Sequence, residues 1–263
     1  MEKPLILISN DDGIGWQGIR TLTDTVRQLY PDADVAVVAP LHHQSAKSSA
    51  ITVGMPLIAN VRHDEPHYRV IAVDGTPADC VKLAISKLLP RHPDVVLTGI
   101  NHGFNSGTNT IYSGTMGAAL EAVIHHVPAV AFSYSEFSPD CDMTVCVPVI
   151  KEVLSRVLPA IEAGTFPKDI CLNVNVPKVA SADELRGIVV TKADVGRCVH
   201  EFEEQVDPYG RTIYWTKGHY TAGDADDHDT DTYLLGQGYA TIVPCQVDQT
   251  ALGAIAAIAA LMT

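Results

Sequence analysis

Aliphatic runs alternate along the first two-thirds of the chain with stretches whose apolar positions recur every three or four residues. Leu5–Ser9 is a short, mostly aliphatic run that predicts a buried strand. From Trp16 the period changes, and Ile19, Leu22, Val26, Leu29 and Tyr30 fall on one face of a helix. Asp34–Ala39 predicts a second strand ending at Pro40, and Ile51–Ala59 and Tyr68–Val73 predict two more, a short antiparallel excursion. Thr76 and Pro77 suit the N-cap and first position of a helix running through Val81, Leu83, Ile85 and Leu88, with Asp79 near its positive end. Further strands are expected at Asp94–Thr98, Pro128–Ser133 and Ile170–Val174. Between them lie a helix opening at Ser113 and another over Val145–Ala163. Such alternation predicts an α/β fold with a mostly parallel sheet covered on both faces.

Past about Gly187 the pattern shifts. Ile188–Thr191, Val195–Phe202 and Arg211–Thr216 predict strands around turns such as Asp207-Pro208-Tyr209-Gly210, hence β-hairpins projecting from the core. Gly238–Val243 predicts one more strand, and Gln249–Met262 a final helix with an apolar face. The expectation is one domain over residues 1–263, with a core over about 1–186 and a hairpin arm and C-terminal segment over about 187–263. The Ala- and Ile-rich last helix, together with the arm, invites contact between subunits.

Composition narrows the function. With 46% hydrophobic and 19% charged residues among 263, the chain can bury a core without staples. A net charge of -13 argues against coating a nucleic acid. A small phosphorylated ligand stays compatible, because a bound metal inverts the local charge. Six cysteines form no C-x-x-C pair and no zinc spacing with histidine, so reduced, buried thiols are expected. The N-terminal apolar run is too short for a signal peptide, and Ala251–Met262 is too short to span a bilayer. A cytoplasmic protein without a membrane partner is the expectation.

Two stretches carry candidate chemistry. Asn10, Asp11 and Asp12 follow the first strand, before Gly13 and Gly15 and a helix. Ligands of open α/β sheets bind at that edge. Two adjacent carboxylates repel unless a cation lies between them or one is protonated, and oxygen ligands favour Mg²⁺ or Mn²⁺. Asp-Asp-Gly also reads as an ordinary surface turn. After the strand at Asp94–Thr98 comes a long Gly/Asn-rich loop with Asn101 and Asn105, leading to Ser113-Gly114-Thr115 at a helix start. Hydroxyls and free amides there make an anion site; an ordinary serine cap is the other reading. Ser45, in a polar loop after the second strand, can lie near the aspartates if the strands are parallel, or can be solvated. The acidic run Asp224–Asp231 reads as a solvated loop and helix start, with cation binding as the alternative.

These pieces together resemble the SurE (stationary-phase survival protein) family of metal-dependent 5′-nucleotidases. The matching motifs are SNDDGI at 9–14, GTPADCVKLA at 75–84, GIN-x-G-x-N-x-G at 99–107 and YSGT-x-GAA at 112–119. LNVNVP at 172–177, DP-x-GR at 207–211, YW at 214–215 and GYATIVP at 238–244 extend the match in the family's order. The resemblance implies a Rossmann-like three-layer core with a C-terminal hairpin arm and terminal helix, and a homodimer or homotetramer. It implies hydrolysis of nucleoside monophosphates, with 3′-nucleotides and short polyphosphate as further substrates, and one divalent ion, Mg²⁺ or Mn²⁺. Asp11, Asp12, Ser45 and Asn101 are then the metal ligands, with Asp11 and Asp12 catalytic. Asn105, Ser113, Gly114 and Thr115 are then the phosphate-binding set. The nucleophile is either a water or one of the aspartates. A non-catalytic nucleotide-binding regulator is the alternative function. The loop Leu41-His42-His43-Gln44 departs from the family's acidic and basic residues, which bears on phosphate affinity and substrate choice. His102, where the family often has Arg, either tunes phosphate binding or is simply exposed.

Overall fold

A computed structural model describes residues 3–262. In chain order the core comprises β1 (Leu5–Ser9), α1 (Gln17–Leu29), β2 (Asp34–Pro40), β3 (Ala59–Glu65), β4 (Tyr68–Val73) and α2 (Pro77–Leu83). It continues with β5 (Val95–His102), α3 (Gly114–Ile124), β6 (Ala129–Tyr134), α4 (Cys146–Glu162), β7 (Ile170–Val176) and β8 (Ile188–Val190). The C-terminal part comprises β9 (Arg197–Val199), β10 (Phe202–Val206), β11 (Thr212–Thr216), β12 (His219–Thr221), α5 (Asp231–Gly236), β13 (Ala240–Gln246) and α6 (Ile255–Leu261).

Nine strands form one sheet in the order β3-β4-β2-β1-β5-β6-β7-β13-β8. From β4 to β7 every pairing is parallel. Two pairings, β3 with β4 and β13 with β7, are antiparallel. Strand alternation explains the two covering layers. Ile6 and Ile8 of β1 pack with Ile19 and Leu22 of α1 and Ile150 of α4 on one face. Leu7 points the other way, toward a cluster with Cys80 of α2 and Met116 and Ala119 of α3. The expected Rossmann-like α/β layering is therefore present, with β10–β11 as an antiparallel hairpin and β9–β12 as a separate antiparallel pair.

Several expected boundaries are corrected. Ile51–Ile58 is irregular, and the strand begins only at Ala59, since Gly54 and Pro56 interrupt the apolar run. The strand expected at Asp94–Thr98 runs on to His102, so Asn101 lies on β5 rather than after it. Val195–Phe202 splits into β9 and the start of β10, and the last helix begins at Ile255 after a short turn over Leu252–Ala254. All six cysteines are free.

Candidate active site

β1 and β5 are parallel neighbours, with Ser9 opposite Thr98. Residues leaving β1 therefore emerge beside the end of β5. Asn10 closes the turn: its amide donates to the Gly13 carbonyl at 3.0 Å and its oxygen accepts from the Gly13 N–H at 3.2 Å. The turn is not on the surface. Asp11 is 3% exposed and Asp12 1%, which removes the surface-turn reading of this pair.

Each aspartate is held from a different side. The Thr115 hydroxyl donates to Oδ1 of Asp11 at 2.5 Å. Gly114 lies so close that a Cβ there would stand 2.8 Å from the Asp11 Cβ and 2.9 Å from its Oδ2. The start of α3 thus rests directly on Asp11 because its first residue has no side chain. On the other side, Oδ2 of Asp12 accepts from the His102 backbone N–H at 3.2 Å and lies 2.9 Å from the His102 Nδ1. That pairing assigns the ring proton to Nδ1 and leaves Nε2 a buried atom without a partner. The His102 side chain is only 5% exposed, so the reading of it as a surface residue fails. His43 stands 3.6 Å from Oδ1 of Asp12, and the Trp16 ring packs against both histidines, at 5.6 and 5.0 Å between centroids.

Burial, with the charge of Asp12 adding to it, pushes the Asp11 carboxyl up to about 6 against the opposing Thr115 hydrogen bond. Between the ordinary carboxylate range and about 6, the folded chain holds a proton that the unfolded chain has released. This group's contribution to stability therefore falls as pH rises through that window. A cation bound by the deprotonated pair competes with the proton. The melting-temperature increment given by Mn²⁺ is thus expected to shrink as pH drops from about 7 to about 5. An increment constant over that range would contradict this coupling.

Among the described residues, no three His, Cys, Asp or Glu side chains converge as a metal site. A cation at the aspartate pair would thus need neutral oxygens as well. Asn101 can offer one, because its amide nitrogen is spent on the carbonyls of His102 and Gly103, at 3.2 and 2.8 Å. Ser45 is exposed, on a loop docked through the Gln44 N–H, which donates to the Asp11 carbonyl at 2.7 Å. Two buried adjacent carboxylates fit a hard divalent ion, with the oxygens of Asn101 and Ser45 as the candidate neutral donors.

The candidate phosphate residues divide. The Ser113 hydroxyl accepts from the Met116 N–H at 3.1 Å and so caps α3, while the Thr115 hydroxyl is committed to Asp11. What the helix start offers an anion is its backbone N–H groups, which have no partner within the helix. Asn105 makes its hydrogen bonds in a buried network rather than to the aspartates. Its N–H donates to Oδ1 of Asn175 at 2.7 Å, its amide donates to the Ser133 hydroxyl at 2.8 Å, and its carbonyl accepts from the Asn173 amide at 2.8 Å. Sequence reasoning missed Ser133, Asn173 and Asn175 as supports of this loop. For Asn173 and Asn175 the signal was two asparagines on one face of the otherwise apolar strand β7; Ser133 on β6 gave none. At the end of the acidic run, Asp231 opens α5 and is fully buried, accepting from the Gly107 N–H at 2.8 Å. The expected helix start is there, and it braces the same loop.

Comparison with known proteins places this geometry in a family. The model of the family described as "Survival protein SurE" matches residues 6–199. A 5′-nucleotidase SurE of Cytophaga hutchinsonii is 42% identical over 95% of this chain and 94% of its own length. The chain belongs to the SurE family. A second SurE relative, a 5′-nucleotidase of Carboxydothermus hydrogenoformans, is 40% identical over 93% of this chain and 91% of its own. The crystal structure of the SurE protein of Aquifex aeolicus superposes with a TM-score of 0.76 at 32% identity, covering 99% of this chain and 100% of that one. α5 and β13 lie beyond the residues matched by the SurE family model, yet Asp231 reaches back to the loop that carries Asn105.

Proposed function

We propose that this protein is a divalent-metal-dependent phosphomonoesterase that hydrolyses nucleoside monophosphates to nucleoside and phosphate. The observation that carries the reading is a pair of buried adjacent carboxylates, one of which, Asp11, rests on the start of α3. The relatives' names, 5′-nucleotidase SurE, support the substrate class. In this reading Asp11, Asp12, Asn101 and Ser45 hold one Mg²⁺ or Mn²⁺. When bound, the ion supplies positive charge to the phosphoryl oxygens and lowers the pKa of water. The chain supplies the rest. His102 fixes the Asp12 carboxylate through two hydrogen bonds, and Thr115 fixes that of Asp11. The Gly114 N–H stabilises charge on the phosphoryl oxygens, while the Thr115 N–H faces the Asp11 carboxylate and Ser113 keeps the helix start in place. In this reading Asn105, on the loop between β5 and α3, completes the phosphate-binding set.

A phosphate-release assay with AMP, GMP and CMP tests the proposal. Release is expected with added Mn²⁺ or Mg²⁺, silence after chelation, and recovery on restoring the ion. Release unaffected by chelator would refute the metal requirement, and tight nucleotide binding without release would make the protein a regulator.

The exposed face of α6, with Ile255, Ile258 and Leu261, and the arm residues Phe202, Tyr214 and Trp215 support assembly into a homodimer or homotetramer. Sedimentation at micromolar concentration is expected to give two or four copies, and a monomer would remove this part of the reading. Six free cysteines favour a reducing, cytoplasmic setting. Among the described residues no helix is long and apolar enough to cross a membrane.

A further inference from the structure

Asp12 is met from two sides by histidines that share one neighbour. Its Oδ2 accepts from the His102 N–H at 3.2 Å and faces the His102 Nδ1 at 2.9 Å, while the His43 Nδ1 stands 3.6 Å from Oδ1. The two rings come from different elements, His102 from the end of β5 and His43 from the loop after β2. Trp16, the residue before α1, packs against both.

Backbone contacts bring Trp16 there. Its N–H donates to the Gly13 carbonyl at 3.2 Å, in the turn that Asn10 closes beside the aspartates. The Ile14 N–H donates to the Pro40 carbonyl at 2.9 Å and ties that turn to the end of β2. Gly18 then lets α1 lie directly on β5, since a Cβ there would stand 2.0 Å from the Ile100 carbonyl oxygen. Trp16 stands two residues before that contact and His102 two residues beyond it. Their rings meet edge to face, 5.0 Å between centroids and 69° between planes. The indole gives α1 no capping hydrogen bond, so capping does not account for it.

What the indole supplies is a wall. The His102 Nε2 is buried without a partner, so a single hydrogen bond, from Nδ1 to Asp12, fixes which way the ring faces. A half-turn of the ring puts a carbon where Nδ1 stands and loses that bond. Packing against Trp16 opposes the turn. The His43 ring is too far from Oδ1 for a hydrogen bond, and its tilted contact with the indole, at 5.6 Å and 34°, keeps it beside Asp12.

We propose that Trp16 is a positioning residue for the Asp12 carboxylate, fixing its orientation through the His102 and His43 rings before a cation arrives. This rests on the metal-dependent reading for what that carboxylate binds. Loss of such a support costs about ten- to a hundredfold in metal affinity.

Proton NMR of cation-free protein carrying isotope-labelled histidine reads the ring directly. A downfield Nδ1–H signal from His102, protected by its bond to Asp12, is expected in the unaltered protein and in Trp16→Phe, which keeps an aromatic wall. In Trp16→Leu that signal is expected to broaden away. Calorimetric titration should then give a Mn²⁺ dissociation constant about tenfold higher for Trp16→Leu and within about threefold for Trp16→Phe. A His102 signal unchanged in Trp16→Leu, or lost there with Mn²⁺ affinity intact, would overturn the role. So would the absence, in the unaltered protein, of cross-relaxation from the Trp16 indole to both imidazoles, a measurement that needs no variant to fold. Should the unaltered protein bind no Mn²⁺, the metal reading fails while the His102 signal still decides whether Trp16 sets the ring.

Discussion

Asp12→Asn is expected to lower kcat for nucleoside monophosphates by about a thousandfold or more, on the scale of losing a metal-holding charge or a main electrostatic contact. Asparagine has nearly the same shape, and its oxygen can still accept from the His102 N–H that now bonds Asp12. What it loses is one negative charge at a site 1% exposed. In the absence of cation that loss relieves repulsion of Asp11, since the neighbouring Asp12 charge helps to raise the Asp11 pKa. The variant should therefore melt at the same temperature as the unaltered protein or higher. Added Mn²⁺ should raise the melting temperature of the unaltered protein and leave the variant unmoved. Loss of activity together with a collapse of the cation-free melting temperature would instead make Asp12 a structural residue.

Gly117→Ala is expected to weaken cation binding about ten- to a hundredfold, the usual cost of disturbing supports around a metal site. By intrinsic propensity alanine should strengthen α3 by up to about 1 kcal/mol. Contact decides otherwise. An added Cβ would stand 2.0 Å from the Ser48 carbonyl oxygen and 2.9 Å from the Ser49 nitrogen, both backbone atoms. The loop must then lift off α3 and give up the bonds from the Ser48 N–H to the Tyr112 carbonyl at 3.1 Å and from its hydroxyl to the Ile111 carbonyl at 2.6 Å. That same loop bonds Asp11 through Gln44 and carries Ser45. Calorimetric titration of Mn²⁺ into the variant checks this. An unchanged dissociation constant would show that the loop plays no part in holding the ion.

The layered core was legible because its signals are local. Leu5–Ser9, Asp34–Ala39 and Tyr68–Val73 are apolar runs bounded by turn residues, and each became a strand within a residue or two of the expected limits. Ile51–Ile58 was not legible as a loop, because its apolar residues read as a strand, whereas Ile51, Val53, Met55 and Ile58 are exposed and only Leu57 reaches the core, on its α2–α3 side. The extension of β5 to His102 was hidden by Gly99, a residue that local rules assign to a turn. At the site, the aspartates and the helix start stood out as motifs. The partners that orient them did not, because Thr115 meets Asp11 across 104 positions of sequence and His102 meets Asp12 across 90. Helix capping suggested Ser113 as a cap, but nothing local tells that the Thr115 hydroxyl turns toward Asp11. The bracing of the phosphate loop by Asp231 from 124 positions away is of the same kind, legible only once the chain is folded.

Anomalous diffraction from crystals grown with Mn²⁺ and inorganic phosphate addresses the site most directly. One manganese peak is expected at about 2.0–2.5 Å from oxygens of Asp11, Asp12 and Asn101, with phosphate seated on the N–H groups that open α3. A manganese peak elsewhere, or phosphate bound at α3 with the carboxylates of Asp11 and Asp12 free of any ion, would contradict it.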